Sequence, residues 1–142
     1  MIYTEMTMKA MCLAYRAHAG QVDKAGVPYI YHPIHVAEQM KDEITTTVAL
    51  LHDVVEDSPM TLEDLSAEGF PPEVTEAVGL LTKDYSIPYL EYVERLRDYP
   101  IARTVKLADL AHNSDRTRLP VVDERAERML EKYRRATAIL TR

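Results

Sequence analysis

The stretch "VALLHDVVEDSP", Val48 to Pro59, sets a histidine, two aspartates and a glutamate on an apolar run that otherwise reads as buried helix. Charges buried without partners cost several kcal/mol or more, so groups of this kind are paired, protonated or bound to a metal. Helical spacing sorts them further. Glu56 follows His52 by four residues and Asp57 follows Asp53 by four, so on a continuous helix each carboxylate stacks one turn from a potential ligand. The rest of the chain has to supply the partner for this group.

Working outward, apolar residues recur at intervals of three and four almost throughout, and alternating β-branched runs bounded by turns are missing. The chain therefore reads as all-α, with about seven or eight helices and no sheet. The first helix is expected from about Thr4 to Ala19, stopped by Gly20, and is followed by the loop "GQVDKAGVPYIY". Pro33 suits the first turn of a short helix reaching about Met40, with His32 near its N-cap. The next helix begins near Glu43 and carries the opening motif as far as "SPM". "TLED", Thr61 to Asp64, has the capping-box pattern of a short helix ended by Gly69, and Pro71 and Pro72 open another. "PYLEYVERL", "IARTVKLADLAHN" and Asp123 to Thr141 complete the set.

At 142 residues, with 46% hydrophobic and 28% charged residues and no Gly- or Ser-rich linker, residues 1–142 are expected to form a single domain that folds unaided. No apolar run approaches the roughly 20 residues of a membrane span, and "MIYTEMTMKAM" lacks a basic start followed by an apolar core, so a cytoplasmic location without membrane contact is expected. A net charge of −6 argues against broad attraction to nucleic acid, while leaving room for a local basic pocket that takes a small phosphorylated ligand. The single Cys12 sits at helical spacing with Met8, Met11 and Tyr15 and reads as a packed core thiol.

Three segments offer metal-compatible side chains: His32, the pair His52 and Asp53, and Asp109 within "KLADLAHN". Mixed imidazole and carboxylate ligands suit a divalent transition ion such as manganese, zinc or iron, whereas an all-oxygen shell would point to calcium or magnesium. With those four as ligands, Glu56 and Asp57 are free to orient a water, take its proton or protonate a leaving oxygen, the layout of a hydrolase. Plainer readings exist for each residue alone. A His-Asp pair can be a structural hydrogen bond, Asp109 an ion-pair partner of Lys106, and His32 a cap beside Pro33. His35 reads as an outer-face residue, His18 as a helix-end residue, and His112 either way.

The pattern His32, His52 with Asp53, and Asp109 resembles that of the HD-domain metal-dependent phosphohydrolases. "AHAGQVDKAGVPYIYHP", "ALLHDVVEDS", "LLTK" and "VKLADLAHN" resemble successive signatures of the hydrolase domain of RelA/SpoT-type alarmone enzymes and of the small alarmone hydrolases. The resemblance runs from about Ala17 to Asn113, and the final helix also fits. It implies a compact HD-domain helical bundle and a 3′-pyrophosphohydrolase that releases pyrophosphate from (p)ppGpp, usually with Mn2+, with breakdown as its only direction. It also implies His32, His52, Asp53 and Asp109 as metal ligands, Glu56 and Asp57 as the groups handling water and proton, and Asn113 near the nucleotide sugar; among the basic residues, Lys24 in the loop and Arg116 are taken as substrate contacts, with Lys83, Lys106 and Arg118 as further candidates for phosphate contacts. The loop departs from the family at Asp23, where an arginine associated with stacking on guanine is usual. Two alternatives keep their place: a phosphatase or phosphodiesterase acting on another nucleotide or NADPH, and a noncatalytic nucleotide-binding regulatory domain.

Overall fold

The computed structural model describes residues 1–142 as nine α-helices and one short 3-10 turn. They are α1 (Glu5–Ala17), α2 (Tyr31–Glu38), α3 (Glu43–Leu51), α4 (Val54–Asp57), α5 (Leu62–Ala67), α6 (Pro72–Leu81), α7 (Tyr89–Arg95), α8 (Pro100–Asn113) and α9 (Glu124–Leu140). The 3-10 turn spans Arg116–Arg118. The only β-type pairing is an isolated bridge between Val22 and Pro28, so the all-α expectation holds.

Side-chain caps set four of the nine α-helix starts. Thr4, Asp42, Thr61 and Asp123 each accept a hydrogen bond from a backbone amide of the first turn, satisfying donors that have no partner within the helix. Thr61 and Asp64 form the expected reciprocal capping box. Gly20 and Gly69 follow helix ends with φ of +81° and +96°, a region that a residue with a Cβ enters only under strain.

The helix expected to run unbroken from Glu43 past Asp57 divides at His52 and Asp53, which is why there are nine helices where seven or eight were expected. His52 Nδ1 lies 2.6 Å from the carbonyl of Ala49. In a continuous helix the Asp53 amide would use that carbonyl, so the imidazole takes the place of the next backbone bond and the chain turns.

α3 is the centre of the bundle, packed against α1, α2, α6 and α8. Every residue from Thr45 to Leu51 is buried. The hydroxyls of Thr46 and Thr47 donate to the carbonyls four residues earlier, Asp42 and Glu43, at 2.7 and 2.8 Å, so these two bring no unpaired hydroxyl into the core. α1 buries Thr7, Ala10, Leu13 and Ala14, and the small alanines let it approach α3 closely. Cys12 is exposed, correcting its reading as a core thiol. α1 carries two apolar stripes, and the bundle covers the other one; Met8 and Tyr15 are exposed on the same side as Cys12.

Leu50 is fully buried on the central helix. Leu50→Ala should cost about 2–5 kcal/mol in urea unfolding, whereas Tyr15→Ala on the open face of α1 should stay within about 0.5 kcal/mol of the parent.

Candidate metal centre

Three segments converge at the point where α3 breaks. α2 brings His32 in its first turn, the α3–α4 turn brings His52 and Asp53, and the buried face of α8 brings Asp109. One donor atom from each of these four lies within 4.8 Å of all the others. His32 Nε2 is 2.9 Å from Asp109 Oδ1 and 3.8 Å from Asp53 Oδ2; His52 Nε2 is 3.1 Å from Asp53 Oδ2 and 3.5 Å from Asp109 Oδ1. Donors about 2.1 Å from a common ion would be about 3.0 Å apart at right angles and about 3.4 Å apart in a tetrahedron. The cluster has the dimensions of a coordination shell.

The chemistry of the donors agrees. Both imidazoles are 3% exposed, and Asp109 is 5% exposed. His52 Nε2 is buried and makes no hydrogen bond: its contact with Asp53 is close, but the angle is wrong for one. With Nδ1 turned to the Ala49 carbonyl, Nε2 is directed at two carboxylates. Burial opposes charge on His52, yet Asp53 and Asp109 outweigh it and raise its proton affinity well above that of an ordinary imidazole. Burial likewise opposes ionisation of Asp53, but His52 brings its pKa down to about 2. Asp109 is held well below the usual carboxylate range, against its burial, by Lys106, whose Nζ lies 2.9 Å from Oδ2. Two ionised carboxylates beside two imidazoles form a field that attracts a proton or, more strongly, a divalent cation.

Neighbouring groups fix the shell. Tyr29 donates its hydroxyl hydrogen to Asp53 Oδ2, and Asn113 Nδ2 donates to Asp109 Oδ1 at 3.1 Å. His32 Nδ1 lies 2.7 Å from His112 Nδ1, with the two rings stacked. Burial and the nearby Arg118 push the His112 pKa down to about 4, so it is a neutral acceptor for a His32 Nδ1–H, and His32 Nε2 is left for the cluster. Tyr29 sits three residues before His32, but nothing in the local pattern reveals where its hydroxyl goes.

A cavity of about 410 Å³ opens over the cluster. Glu56 and Asp57 line it together with His52, Asp53 and Asp109. Asp57 keeps its place one turn above Asp53, its amide donating to the Asp53 carbonyl at 2.9 Å. Burial, reinforced by the charges of Asp53 and Glu56, raises its pKa to about 6. Glu56 is differently placed: its carboxylate accepts from the Lys83 amide at 2.9 Å and from the Tyr85 hydroxyl at 3.2 Å.

A second cavity of about 290 Å³ adjoins the first, sharing Tyr29, Asn113 and Tyr133. Lys24 and Asn113 line it. Arg116 does not: its guanidinium pairs with Glu127 through two bonds of 2.7 and 3.1 Å at the surface. Arg118, two residues on, faces the cavity instead, because a 3-10 turn with three residues per turn separates the two directions. Asp23 builds the loop. Its Oδ1 accepts from the amides of Ala25 and Val27 at 2.9 and 3.0 Å, and its Oδ2 lies 3.6 Å from Arg118. The charge at this departure from the family pattern is thereby partly neutralised.

The family model described as "HD domain" matches residues 10–138. The chain belongs to the HD-domain family. Among curated HD-domain relatives, a human guanosine-3′,5′-bis(diphosphate) 3′-pyrophosphohydrolase, MESH1, is 38% identical over 119 residues, covering 75% of this chain and 66% of that protein. The bifunctional (p)ppGpp synthase/hydrolase SpoT of Escherichia coli is 35% identical over 120 residues, 74% of this chain and 17% of its own length. A probable 3′-pyrophosphohydrolase of Synechocystis is 36% identical and matched over 16% of its length, so the chain spans about a sixth of these longer relatives. A solved structure described as a metazoan ortholog of SpoT that hydrolyzes ppGpp superposes with a TM-score of 0.84 at 25% identity, covering 99% of this chain and 88% of that one. Membership in the family together with the His/Asp cluster implies a divalent metal. No helix is long and apolar enough to cross a membrane.

Since Asp53 and Asp109 raise the proton affinity of His52 at the place where a cation would sit, proton and metal compete there, and metal uptake should release protons and weaken as pH falls. Calorimetric titration with Mn2+ in two buffers of different ionisation enthalpy reads this directly. Uptake without proton release would contradict the assignment, as would stoichiometric uptake by Asp53→Ala.

Proposed function

We propose that this HD domain is a metal-dependent nucleotide phosphohydrolase that removes pyrophosphate from the ribose 3′ position of (p)ppGpp, with Mn2+ as its metal. The observation that carries the reading is the four-donor cluster, buried at His32, His52 and Asp109, lying beneath a cavity whose rim holds a carboxylate with no partner, Asp57. His32, His52, Asp53 and Asp109 would hold the ion. A divalent cation there would polarise a phosphoryl oxygen and lower the pKa of water from about 15.7 toward about 7.

The protein's own groups do the rest. Asp57, with a pKa raised to about 6, is suited to take a proton from the attacking water near neutral pH and to pass one to the departing ribose oxygen. Glu56, fixed by the Lys83 amide and the Tyr85 hydroxyl, sets its carboxylate near Asp57 and helps hold that pKa up. Asn113 bonds to Asp109 while lining both cavities, which puts it where a nucleotide sugar would pass from one to the other. Lys24 and Arg118 line the adjoining cavity as contacts for the nucleoside end, Arg118 in the role expected of Arg116. The relatives' names support the choice of substrate: the human and Synechocystis proteins are named as 3′-pyrophosphohydrolases of guanosine bis(diphosphate), the latter as a probable one, and the Escherichia coli protein as a (p)ppGpp synthase/hydrolase. We place the protein in the cytoplasm, where such a nucleotide would be met.

One observation favours a second reading. The adjoining cavity presents an Asp23–Arg118 pair where the family loop usually has an arginine, so a different nucleotide, NADPH included, could be the preferred ligand of the same centre.

Manganese-loaded protein incubated with ppGpp should yield GDP and pyrophosphate in equal amounts. Asp57→Asn should retain stoichiometric metal and lose about 10²- to 10⁴-fold in kcat. Orthophosphate released from NADPH or another nucleotide, with ppGpp untouched, would transfer the function to the second reading.

A further inference from the structure

Beside the acidic cluster, the same cavity has a basic wall. Lys83 follows α6, Lys106 lies on α8 and Lys132 on α9, three segments distant in sequence, and all three line the cavity. Their ammonium groups gather round one aromatic ring: Nζ of Lys83, Lys106 and Lys132 lie 5.3, 5.6 and 4.7 Å from the centre of Tyr89. Lys106 has a counter-charge, Asp109 at 2.9 Å. Lys83 and Lys132 have none: no carboxylate lies within ion-pair distance of either, in a chain with 23 acidic and 17 basic residues.

Like charges brought together repel, and the repulsion shows. Burial, and then Lys83 and Lys106, push the Lys132 pKa below that of an ordinary lysine. The face of Tyr89 offsets part of this, at about 0.5–2 kcal/mol per cation, but an aromatic ring does not neutralise charge. Surface lysines elsewhere escape such a cost by turning outward; Lys83 and Lys132 are half-buried and face the cavity. The missing counter-charge is therefore one that enters the cavity. Two ammonium groups, one in the loop after α6 and one on α9, suit a multiply charged tetrahedral oxyanion, which accepts several charge-assisted hydrogen bonds from point-like donors.

Lys106 fixes how far this wall is from the chemistry. Its Nζ touches Asp109, a member of the cluster, and the Tyr89 ring that it shares with Lys132 is the next group along. A phosphate reacting at the cluster and a second phosphate joined to it through one bridging oxygen would enter the same cavity that these lysines line.

We propose that Lys83 and Lys132, supported by Tyr89, hold the outer phosphate of the ligand's pyrophosphate group and so select a diphosphate over a monophosphate at the reacting position. The assignment rests on the reading of the site as a nucleotide phosphohydrolase and deepens it. In that reaction water oxygen bonds to the inner phosphorus, the bond from that phosphorus to the ribose oxygen breaks, and the ribose oxygen takes up a proton. The outer phosphate changes no bond, so the two lysines act in binding and positioning.

The test uses Lys83→Gln and Lys132→Gln, alone and together, with Lys132→Arg to restore charge and the exposed Lys41→Gln as control. Binding of inorganic pyrophosphate and of orthophosphate to the metal-loaded protein is measured by calorimetry with magnesium in excess of the anion. Each lost charge-assisted contact is worth about tenfold or more. The double variant should therefore bind pyrophosphate about a hundredfold more weakly and orthophosphate within about threefold of the parent. Lys132→Arg and Lys41→Gln should stay close to parent affinity, and bound metal should be unchanged in all. In turnover, the double variant should lose far more kcat/KM on a nucleoside 3′-pyrophosphate than on the 3′-monophosphate. Equal loss for both anions, or pyrophosphate affinity that ignores the lysines, would overturn the proposal. Lysine-dependent pyrophosphate binding without turnover of ppGpp would uphold the cradle and remove the substrate; turnover with lysine-independent binding would do the reverse.

Discussion

The contact between His52 Nδ1 and the Ala49 carbonyl decides what the core of this protein can do. A histidine and an aspartate adjacent on an unbroken helix point about 100° apart. By taking the carbonyl that would have continued α3, the imidazole ends the helix, turns its own Nε2 toward the bundle interior and lets Asp53 swing to the same side. α2 and α8, packed against α3, then complete the cluster with His32 and Asp109. Burial of the whole of Thr45–Leu51 makes this turn rigid, since any shift in α3 would disturb four neighbouring helices at once.

Charge is segregated more sharply than a net value of −6 implies. One wall of the main cavity gathers Asp53, Glu56, Asp57 and Asp109; the other gathers three lysines around Tyr89. The Lys106–Asp109 ion pair ties the two walls together and keeps Asp109 ionised despite its burial. Neither wall is balanced by protein alone. A cation on one side and a polyphosphate on the other would balance both, the combination that the proposed reaction calls for.

Much of this is legible in the amino-acid sequence itself. Capping residues Thr4, Thr61 and Asp123 and the glycines after α1 and α5 mark helix ends by local chemistry, so they show in the sequence. The four donors were legible as types of residue in segments that had to meet. What escaped depends on tertiary direction. The α3 break is made by a side chain bonding to its own helix, and the pattern of Val48–Asp57 remains helical on either side of it. Cys12 lies on one of two apolar stripes of α1, and only the position of α3 shows which is covered. Arg116 and Arg118 are separated by a turn of different pitch, and Lys132 reads as one more charge on an amphipathic helix until Tyr89 is placed beneath it.

The central claim is that two imidazoles and two carboxylates from three segments share one ion. Pulsed electron paramagnetic resonance of the Mn2+-loaded protein tests it most directly, because each coordinating imidazole leaves a nitrogen modulation on the manganese signal. Two such nitrogens are predicted, with one lost in His32→Ala and one in His52→Ala. A signal without nitrogen coupling, or one that neither substitution changes, would contradict the account.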